Sequence, residues 1–254
     1  MNQNPILSVI TVTYNAVDTL KRTLESVQGQ TYLYIEYIIV DGGSTDGSLD
    51  LISQYPQLVT TFISEPDKGL YDAMNKAIDL ATGDYLCFLN AGDTFHDCTS
   101  TVQLMAFDRG NSQQTDPSLW PGVLYADTAI VNDSGQFLHL REKRPPKTLN
   151  WKSFNQGMVV CHQAFVARRD LVTHYNTVYR FSADFDWCIQ VMRLAQVKKL
   201  TLQWMDLILI DYLNEGLTTK NHKASLKERF SIMRKYYGLG STIYHHILFF
   251  LKQK

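Results

Sequence analysis

The chain lacks the features that mark membrane-spanning, exported and metal-thiolate proteins. No apolar run in its 254 residues approaches the roughly 20 that a helix needs to cross a bilayer. Residues 1–5 are polar rather than basic and then apolar, so we expect no export and a cytoplasmic protein. The four cysteines show no metal-type spacing, and three lie in apolar stretches, which predicts reduced, buried thiols. They are Cys87, Cys98, Cys161 and Cys188.

A large excess of charge of one sign is also absent, which excludes a generically basic nucleic-acid binder. The formal net charge is −1. Residues 220–254 nevertheless carry eight Lys/Arg and one acid, whereas residues 1–219 have a net charge of −8. We therefore expect a body spanning residues 1–219 and a basic amphipathic tail that contacts an anionic membrane surface. Packing of the tail on the body, or a homodimer contact, is favoured equally.

The hydrophobic pattern of residues 1–95 predicts an α/β fold with a Rossmann-like, mostly parallel sheet and flanking helices. Hydrophobic residues make up 45% of the chain, enough for one large core. Apolar β-branched runs alternate with segments whose apolar residues recur at helical spacing. The predicted strands are residues 8–13, 37–40, 59–63 and 85–89, and the predicted helices are residues 17–28, 45–55 and 70–81. Ligands of such sheets bind beyond the carboxyl ends of the strands.

The pattern is weaker in the second half, residues 96–219. Two apolar segments flank a turn-forming Asn-Asp-Ser-Gly sequence and can pair as a hairpin. The predicted elements are hairpin strands 122–131 and 136–141, a helix over 182–194, a strand within 200–212, and tail helices over 224–237 and 242–251.

Polar residues follow three of the predicted strands at the same edge of the sheet. They are residues 13–15, 41–48 and 90–93. A carboxylate such as Asp41 can accept a hydrogen bond from a base or ribose, and a glycine such as Gly43 allows close backbone approach. Each cluster alone could equally be a polar turn with a helix cap. Their convergence on one edge indicates a ligand crevice.

The stretch from residue 65 to residue 76 opens the third predicted helix. Asp72, Asn75 and Lys76 are three and four residues apart and therefore share a face. A helix N-terminus next to Lys68 favours an anion such as a diphosphate. A capped surface helix with solvated charges is the alternative, and it is weaker because apolar residues already supply the buried stripe.

Asp93 closes an Asn-Ala-Gly-Asp sequence after the most apolar predicted strand. A carboxylate there would face the crevice and could hold Mg²⁺ or Mn²⁺, which take carboxylate and phosphate oxygens as ligands. A cation that bridges a diphosphate neutralises the charge that develops as the diphosphate leaves. An ordinary turn between strand and loop is the alternative interpretation.

Together these motifs resemble family 2 glycosyltransferases of the GT-A fold. The resemblance rests on residues 9–15, 39–47, 65–75, 81–85 and 89–93, which follow the family's order and spacing. It is closest to the bacterial polysaccharide-assembly branch, including colanic-acid-type transferases, which carry a stretch similar to Glu-Pro-Asp-Lys-Gly-Leu-Tyr-Asp-Ala-Met-Asn-Lys-Ala-Ile.

The resemblance implies a nucleotide-sugar pocket and a divalent cation, Mg²⁺ or Mn²⁺, bound by Asp93. Asn90 stands in place of the family's first metal-motif aspartate and Gly92 in place of a further acid, which weakens the predicted metal site. The residues that would line the nucleotide-sugar pocket are Thr13, Tyr14, Asn15, Asp41, Gly43, Lys68, Gly69, Asp72, Asn75, Asn90, Ala91 and Gly92.

The resemblance also places a catalytic base in the second half. Residues 182–187 are similar to the family's acidic helix start, with Ala183 in place of the usual glutamate, and the matching base is Asp184. Two helical residues two apart point about 200° away from each other, so only Asp184 or Asp186 can face the sugar. For Asp186 a first-turn helix acid is the alternative, and for His162 a buried core residue. The implied acceptor side comprises His162, Gln163, Asp186 and Trp187.

The predicted activity is transfer of a sugar from a UDP- or GDP-linked donor to a hydroxyl of a lipid-linked glycan in cell-surface polysaccharide synthesis. Inversion at the anomeric carbon is implied by the resemblance. A nucleotidyltransferase would need a glycine-rich, basic loop after the first strand, which residues 13–17 do not offer. A non-catalytic sugar-nucleotide-binding protein stays open, because Asn90 departs from the metal motif.

Overall fold

The computed structural model describes residues 4–107, 116–214 and 222–252, and its elements follow the predicted alternation of strands and helices in the first half. The strands of the described residues are β1 (Leu7–Thr13), β2 (Ile35–Asp41), β3 (Thr61–Ser64), β4 (Tyr85–Phe88), β5 (Thr94–Phe95), β6 (Val123–Val131), β7 (Phe137–Leu140), β8 (Phe165–Arg168) and β9 (Leu202–Leu213). The helices are α1 (Val17–Gln28), α2 (Ser48–Ser53), α3 (Leu70–Leu80), α4 (Ser100–Leu104), α5 (Ala183–Val197), α6 (His222–Tyr237) and α7 (Leu239–Lys252).

The first four strands lie parallel in the order β3-β2-β1-β4. Parallel neighbours need crossover connections, and α1, α2 and α3 occupy them. The predicted parallel half is therefore confirmed. Its register sets Thr13 beside Asp41 and Asp41 beside Ser64, so the carboxyl ends of β1, β2 and β3 are level.

The sheet continues through β8, β6, β9 and β5, and this half is mixed. β8 is antiparallel to both β4 and β6, whereas β9 is parallel to β6. β7 pairs with β6 as the predicted hairpin, and β5 is antiparallel to β9. The expectation of a mostly parallel sheet thus describes the first half only. Hairpins are encoded by a local turn, but the order of the other strands depends on distant partners.

Two hydrophobic cores lie on the two faces of the sheet. Alternate residues of a strand point to opposite faces. Leu7 and Val9 of β1 accordingly belong to the core beneath α1, and Ile10 and Val12 belong to the core beneath α3 and α5. All seven residues of β1 are buried, which explains its nearly continuous apolar character.

The helix α6 is part of the body rather than a separate tail. Its Ile232 and Met233 are almost fully buried in the core that α5 shares. Its Lys235 forms an ion pair with Asp186 of α5, with 3.0 Å between Nζ and Oδ1. The segment is basic overall, but one face of α6 packs against the body.

The helix α7 folds back beside α6 and has few contacts with the body. The Phe230 and His246 rings meet between the two helices, with their centroids 5.0 Å apart. Ser241 exchanges hydrogen bonds with the Asn155 side chain. Within the described ranges, no helix combines the length and the apolar character that crossing a membrane requires.

All four cysteines are free thiols. Cys87, Cys161 and Cys188 are buried as predicted, whereas Cys98 is exposed. Burial raises the pKa of Cys87 to about 12, so this thiol stays protonated and serves as a small apolar side chain.

Candidate active site

The polar residues that follow β1 and β2 meet at one corner, where Asp41 is fully buried. Its Oδ2 accepts hydrogen bonds from the backbone N–H groups of Gly43 and Ser44, each at 2.9 Å, and from the Ser64 hydroxyl at 2.7 Å. The Ser44 hydroxyl donates to Oδ1. Asp41 therefore holds the shape of this loop, and its predicted contact with a donor base or ribose stays a prediction.

Asn15 and Thr13 complete this corner. Asn15 has a positive φ of 46°, a conformation that asparagine tolerates better than most residues. Its backbone N–H donates to the Ser44 hydroxyl, and its Oδ1 accepts from the Thr45 N–H at 2.9 Å. The Oγ1 atom of Thr13 is buried without a hydrogen-bond partner among the described residues. A buried hydroxyl without a partner is uncommon in proteins, which marks this position as unusual.

Tyr14 presents an exposed ring at the same corner, with 63% of its surface accessible. A Cβ added to Gly42 would lie 2.5 Å from Asp67 Oδ2 and 3.3 Å from the Tyr14 ring. The ring and the carboxylate therefore approach each other over a bare stretch of backbone. An aromatic face beside a hydrogen-bond acceptor suits a flat, polar base. Asp67 lies in the motif quoted above, but its spacing alone did not single it out.

Two acidic side chains in and next to the loop before α3 accept hydrogen bonds from the loop's own backbone. Asp72 Oδ2 accepts from the Lys68 backbone N–H at 3.0 Å, and Asp67 Oδ1 accepts from the Gly69 N–H at 2.7 Å. The Lys68 side chain is exposed. Because two carboxylates already lie at this helix start, the arrangement does not favour the diphosphate that the sequence placed there.

Asn75, on the next turn of α3, joins the two halves of the chain. Its Nδ2 donates to the Tyr175 carbonyl at 3.1 Å, and its Oδ1 accepts from the Tyr175 N–H at 2.7 Å. Both ends of the amide are engaged. The structure therefore places Asn75 at the wall between the halves, although the sequence placed it in the nucleotide-sugar pocket.

Asp93 lies beyond β4 with only 4% of its surface accessible. Its Oδ1 accepts from the Leu213 N–H at 3.0 Å, and its Oδ2 accepts from Gln163 Nε2 at 2.8 Å. Burial raises the pKa of Asp93 to about 7, against the lowering effect of these two hydrogen bonds and of Arg22. Asp93 thus ties β4, the end of β9 and the turn around Gln163 together.

A divalent cation would find an incomplete ligand set around Asn90. The turn closes through a hydrogen bond of 3.0 Å from the Asp93 N–H to the Asn90 carbonyl, with Ala91 and Gly92 between them. Asn90 Oδ1 is buried and unpartnered in the described part of the chain, so it could serve as one ligand. Gly92 has a φ of +100°, and a Cβ there would lie 3.0 Å from Leu213, which disfavours an acid at this position. The described residues include no group of three or more acids, histidines or cysteines suited to a metal.

Asp184 lies in the first turn of α5 and contacts Tyr71 of α3. The Tyr71 hydroxyl donates to Asp184 Oδ1 at 3.1 Å, and the Phe185 N–H donates to the same oxygen at 2.8 Å. No described residue donates to Oδ2. Burial, and then the charge of Asp184, raise the pKa of Tyr71, so Tyr71 remains a neutral donor. The sequence analysis missed Tyr71, although it directly precedes Asp72 in the quoted motif.

Asp186 points to the other side of α5, as the helical geometry predicts. It is fully buried, accepting from Lys235 Nζ at 3.0 Å and from Gln190 Nε2 at 2.6 Å. The structure therefore pairs Asp186 with α6 and does not bring it to Asp184. The alternative interpretation of Asp186, a structural helix acid, fits this position.

Aromatic side chains form the wall that carries His162. Tyr175 stacks on Tyr71 and on Trp187, with ring centroids 5.4 and 5.1 Å apart. The Tyr175 hydroxyl and His162 Nε2 share a hydrogen bond of 2.8 Å. Burial lowers the pKa of His162 to about 4, so the imidazole is neutral at pH 7. Trp187 is fully buried and donates to the Thr173 carbonyl at 2.7 Å.

Tyr212 and Arg141 lie near the same wall and were not singled out from the sequence. Burial, and then the charges of Asp93, Cys161 and Asp184, raise the pKa of Tyr212. Asp93 and Asp184 are therefore both within electrostatic reach of one hydroxyl. The Arg141 guanidinium donates to the Met158 carbonyl at 2.7 Å, and its positive charge opposes the rise at Tyr212. Arg141 ends the predicted hairpin, a position that carries no sequence signal for a site.

The α/β sheet places these polar loops along one edge, where sheets of this type bind ligands, and comparison with known proteins identifies the family. The profile of glycosyl transferase family 2 matches residues 8–175, so the chain belongs to this family and is a glycosyltransferase. A PGL/p-HBAD biosynthesis glycosyltransferase of Mycobacterium tuberculosis is 31% identical over 214 residues, which cover 82% of this chain and 77% of that protein. An uncharacterised glycosyltransferase of the same species is 45% identical over 201 residues, covering 77% and 72%.

Solved structures confirm the GT-A fold. A crystal structure of S. aureus TarS residues 1–349 superposes with a TM-score of 0.69 at 13% identity, covering 96% of this chain and 72% of that one. Another TarS structure contains UDP-GlcNAc, with a TM-score of 0.66 at 16% identity, covering 90% and 64%. A mannosyltransferase of Pyrobaculum calidifontis in complex with GDP-Man and Mn²⁺ has a TM-score of 0.61 at 15% identity, covering 96% and 70%.

Proposed function

We propose that the enzyme transfers one sugar from a nucleoside-diphosphate donor, UDP- or GDP-linked, to a hydroxyl of a glycan, with inversion at the anomeric carbon. The proposal rests on how the Asp184 carboxylate is hydrogen-bonded. Tyr71 and Phe185 hold one oxygen, and no described residue donates to the other. A carboxylate oriented in this way can accept a proton from an incoming hydroxyl.

The proposed donor site lies at the carboxyl ends of β1 and β2. The exposed Tyr14 ring and the Asp67 carboxylate face the base, and the unpartnered Thr13 hydroxyl lies beside them. The family membership and the nucleotide-sugar complexes of similar folds support this placement. Lys68 and Asp72, which lie beside Asp67 in the loop before α3, are the proposed neighbours of the ribose and sugar.

The acceptor approaches from the wall of α5. Asp184 Oδ2 takes the proton of the acceptor hydroxyl as its oxygen attacks the anomeric carbon, and the bond to the donor diphosphate breaks on the opposite face. Tyr71 keeps Asp184 oriented through its hydroxyl. Arg141, whose charge acts on the same Tyr212 hydroxyl as the charge of Asp93, is proposed to supply positive charge where the negative charge of the leaving diphosphate develops. Inversion predicts a product whose anomeric configuration is opposite to that of the donor.

A divalent cation, Mg²⁺ or Mn²⁺, is proposed only to bind together with the donor diphosphate. Asn90 Oδ1 is the unengaged oxygen available to it, whereas both oxygens of Asp93 already accept hydrogen bonds from the chain. The described residues do not fit a complete metal site, and no step above depends on one. Asp93 as a metal ligand stays a prediction.

The acceptor in the proposal is a lipid-linked glycan at the cytoplasmic face of the membrane, within cell-surface polysaccharide synthesis. The mycobacterial relative is named for PGL/p-HBAD biosynthesis, which supports a biosynthetic glycosyl transfer, and the lipid-linked acceptor rests on the motif resemblance. Membership of the colanic-acid-type branch rests on the motif of residues 65–78 and stays a prediction.

The proposed base is tested with Asp184→Asn. Nucleotide sugars are first screened for thermal stabilisation of the protein, with and without Mn²⁺, and transfer to a glycan acceptor is then measured with the best donor. We expect turnover to fall by about 100-fold or more, because the amide cannot take a proton. The stabilisation by donor should stay at the wild-type level, since Asp184 lies on the acceptor side.

The matched control is Asp186→Asn, two residues along the same helix. We expect it to lower the unfolding temperature, because the Lys235 ion pair is lost, while turnover per folded molecule persists. Wild-type turnover in Asp184→Asn, or an equal loss in both variants, would reject Asp184 as the base. A protein that binds donor but shows no transfer with any acceptor would favour the sugar-nucleotide-binding alternative.

A further inference from the structure

The helix α7 presents an apolar face to solvent. Its described exposed side chains are 44–64% accessible, and they are Leu239, Ile243, Tyr244, Ile247 and Leu251. Their spacing of three and four residues places them on one stripe of the helix. Of the described side chains of α7, Thr242 alone is buried. This row, called here the outer row, is the reverse of the usual pattern, in which the apolar stripe faces the core.

No charged residue interrupts this helix between residues 239 and 251. A helix of 14 residues is about 21 Å long, which is shorter than the roughly 30 Å of a bilayer's hydrocarbon core. It can therefore lie along a membrane surface but cannot cross it. Tyr244 within the row has the amphipathic ring that favours the boundary between lipid and water.

The charges around the outer row distinguish a membrane from a second copy of the chain. Residues 220–254 carry a net charge of +7. Their one acid, Glu228, turns inward and accepts hydrogen bonds from the N–H groups of Arg180 and Phe181, at 2.8 and 2.9 Å. Lys227 and Arg234 of α6 are exposed cations, and their spacing of seven residues places them on one face of that helix. Two copies joined through this face would bring like charges together, whereas an anionic lipid surface complements them.

We propose that α7 docks in the plane of an anionic membrane, with the outer row among the lipid chains and the cations of α6 at the headgroups. Apolar burial and charge attraction then act together, as in other amphipathic surface helices. The inference goes beyond the proposed reaction and does not depend on it, since docking requires neither donor nor acceptor. It places the protein where lipid-linked molecules are accessible.

The experiment measures co-sedimentation of the full chain with vesicles of phosphatidylcholine, with or without phosphatidylglycerol. We expect binding to the anionic vesicles that weakens as salt is raised. The double variant Ile243→Asp/Ile247→Asp should lower the partition coefficient by about tenfold or more, because two apolar side chains can no longer enter the interface. The charge variant Lys227→Glu/Arg234→Glu should lower it as well.

The matched control is Leu33→Asp/Val178→Asp, which makes the same kind of change at two apolar residues of the body that are more exposed, at 87% and 82%, than Ile243 and Ile247, at 44% and 54%. It should bind vesicles as the wild type does. All four side chains are exposed, so thermal unfolding should report intact folds. Wild-type binding in the Ile243/Ile247 variant, or an equal loss in the control, would overturn the proposal. So would a wild-type dimer in light scattering that this variant converts to a monomer without any vesicle binding.

Discussion

The carboxylates of the site differ in how far the chain itself engages them. Asp41 and Asp93 are buried, and both oxygens of each accept hydrogen bonds from the protein. Asp184 has one oxygen without a donor among the described residues, and it lies next to the aromatic wall. Sequence position identified all three as acids that follow or open an element. Their different hydrogen bonding, on which the proposed reactive role of Asp184 rests, depends on partners far along the chain.

His162 provides a prediction at this scale. Its pKa in the folded protein is lowered to about 4 by burial. The unfolded chain takes up a proton below about pH 6.5, whereas the folded chain does not, so folding stability falls as the pH drops from 6.5 towards 4. Replacing His162 with Gln should remove this loss, which is worth up to roughly 3 kcal/mol between the two ends of that range.

The measurement is urea unfolding of both proteins at several pH values, compared as a difference so that other titrating groups cancel. Gln can still share a hydrogen bond with the Tyr175 hydroxyl, so the fold should persist. His174→Gln is the control, because His174 is exposed and pairs with Asp79 at the surface. A His162→Gln curve parallel to that of the wild type would show that His162 does not titrate as a buried neutral residue.

At the scale of elements, α5 connects the site to the C-terminal helices. It presents Asp184 to Tyr71 of α3 on one side and Asp186 to Lys235 of α6 on the other. Trp187, one residue further, packs against Tyr175. A displacement of α6 would therefore change the position of α5, the helix that carries the proposed base.

The ion pair between α5 and α6 is tested by Lys235→Ala. Asp186 would remain fully buried, with Gln190 and the Tyr236 hydroxyl as its remaining side-chain partners. Leaving one charge of a buried pair unpaired costs on the order of 3 kcal/mol, and the half-exposed position of Lys235 places the expected value at or below this figure. Urea unfolding measures the loss, and a double-mutant cycle with Asp186→Asn isolates the pair. The exposed Lys227→Ala on the same helix should change stability by less than about 0.5 kcal/mol.

At the scale of the whole molecule, the boundary predicted at residue 219 divides a packed structure. Ile232 and Met233 lie beyond it, yet they belong to the core that Trp187 and Phe185 also form. The basic composition of residues 220–254 suggested a separate segment. Packing instead divides this segment at Gly238, between α6, which is part of the core, and α7, which is largely exposed.

Two truncations test this division. A chain ending at residue 237 loses α7 and should keep most of its stability, since Thr242 alone among the described α7 side chains is buried. A chain ending at residue 219 also loses Ile232 and Met233, which should cost at least about 3 kcal/mol of apolar burial. Urea unfolding compares the two chains. Equal midpoints for the shorter chain and the full chain would mean that α6 does not support the core.

The first half of the fold was predictable because its signals are local. The strand of residues 8–13 and the helix of residues 17–28 appear within one residue of their expected positions. A helical stripe or a buried strand is encoded by neighbours a few positions apart, so one sequence suffices to detect it. The convergence of the polar loops also followed, because parallel strands bring their carboxyl ends to one edge.

The sequence by itself determined the elements of the parallel half, the edge at which the polar loops meet and the family. Only the tertiary structure decided which side chains meet there. Tyr71 and Asp184 are 113 residues apart, and Gln163 and Asp93 are 70 apart. Spacing along the chain carries no information about such pairs, because their distance is set by how two cores pack around a mixed sheet. The same packing turned Asp186 inward, bound α6 to the body and left the apolar row of α7 in solvent.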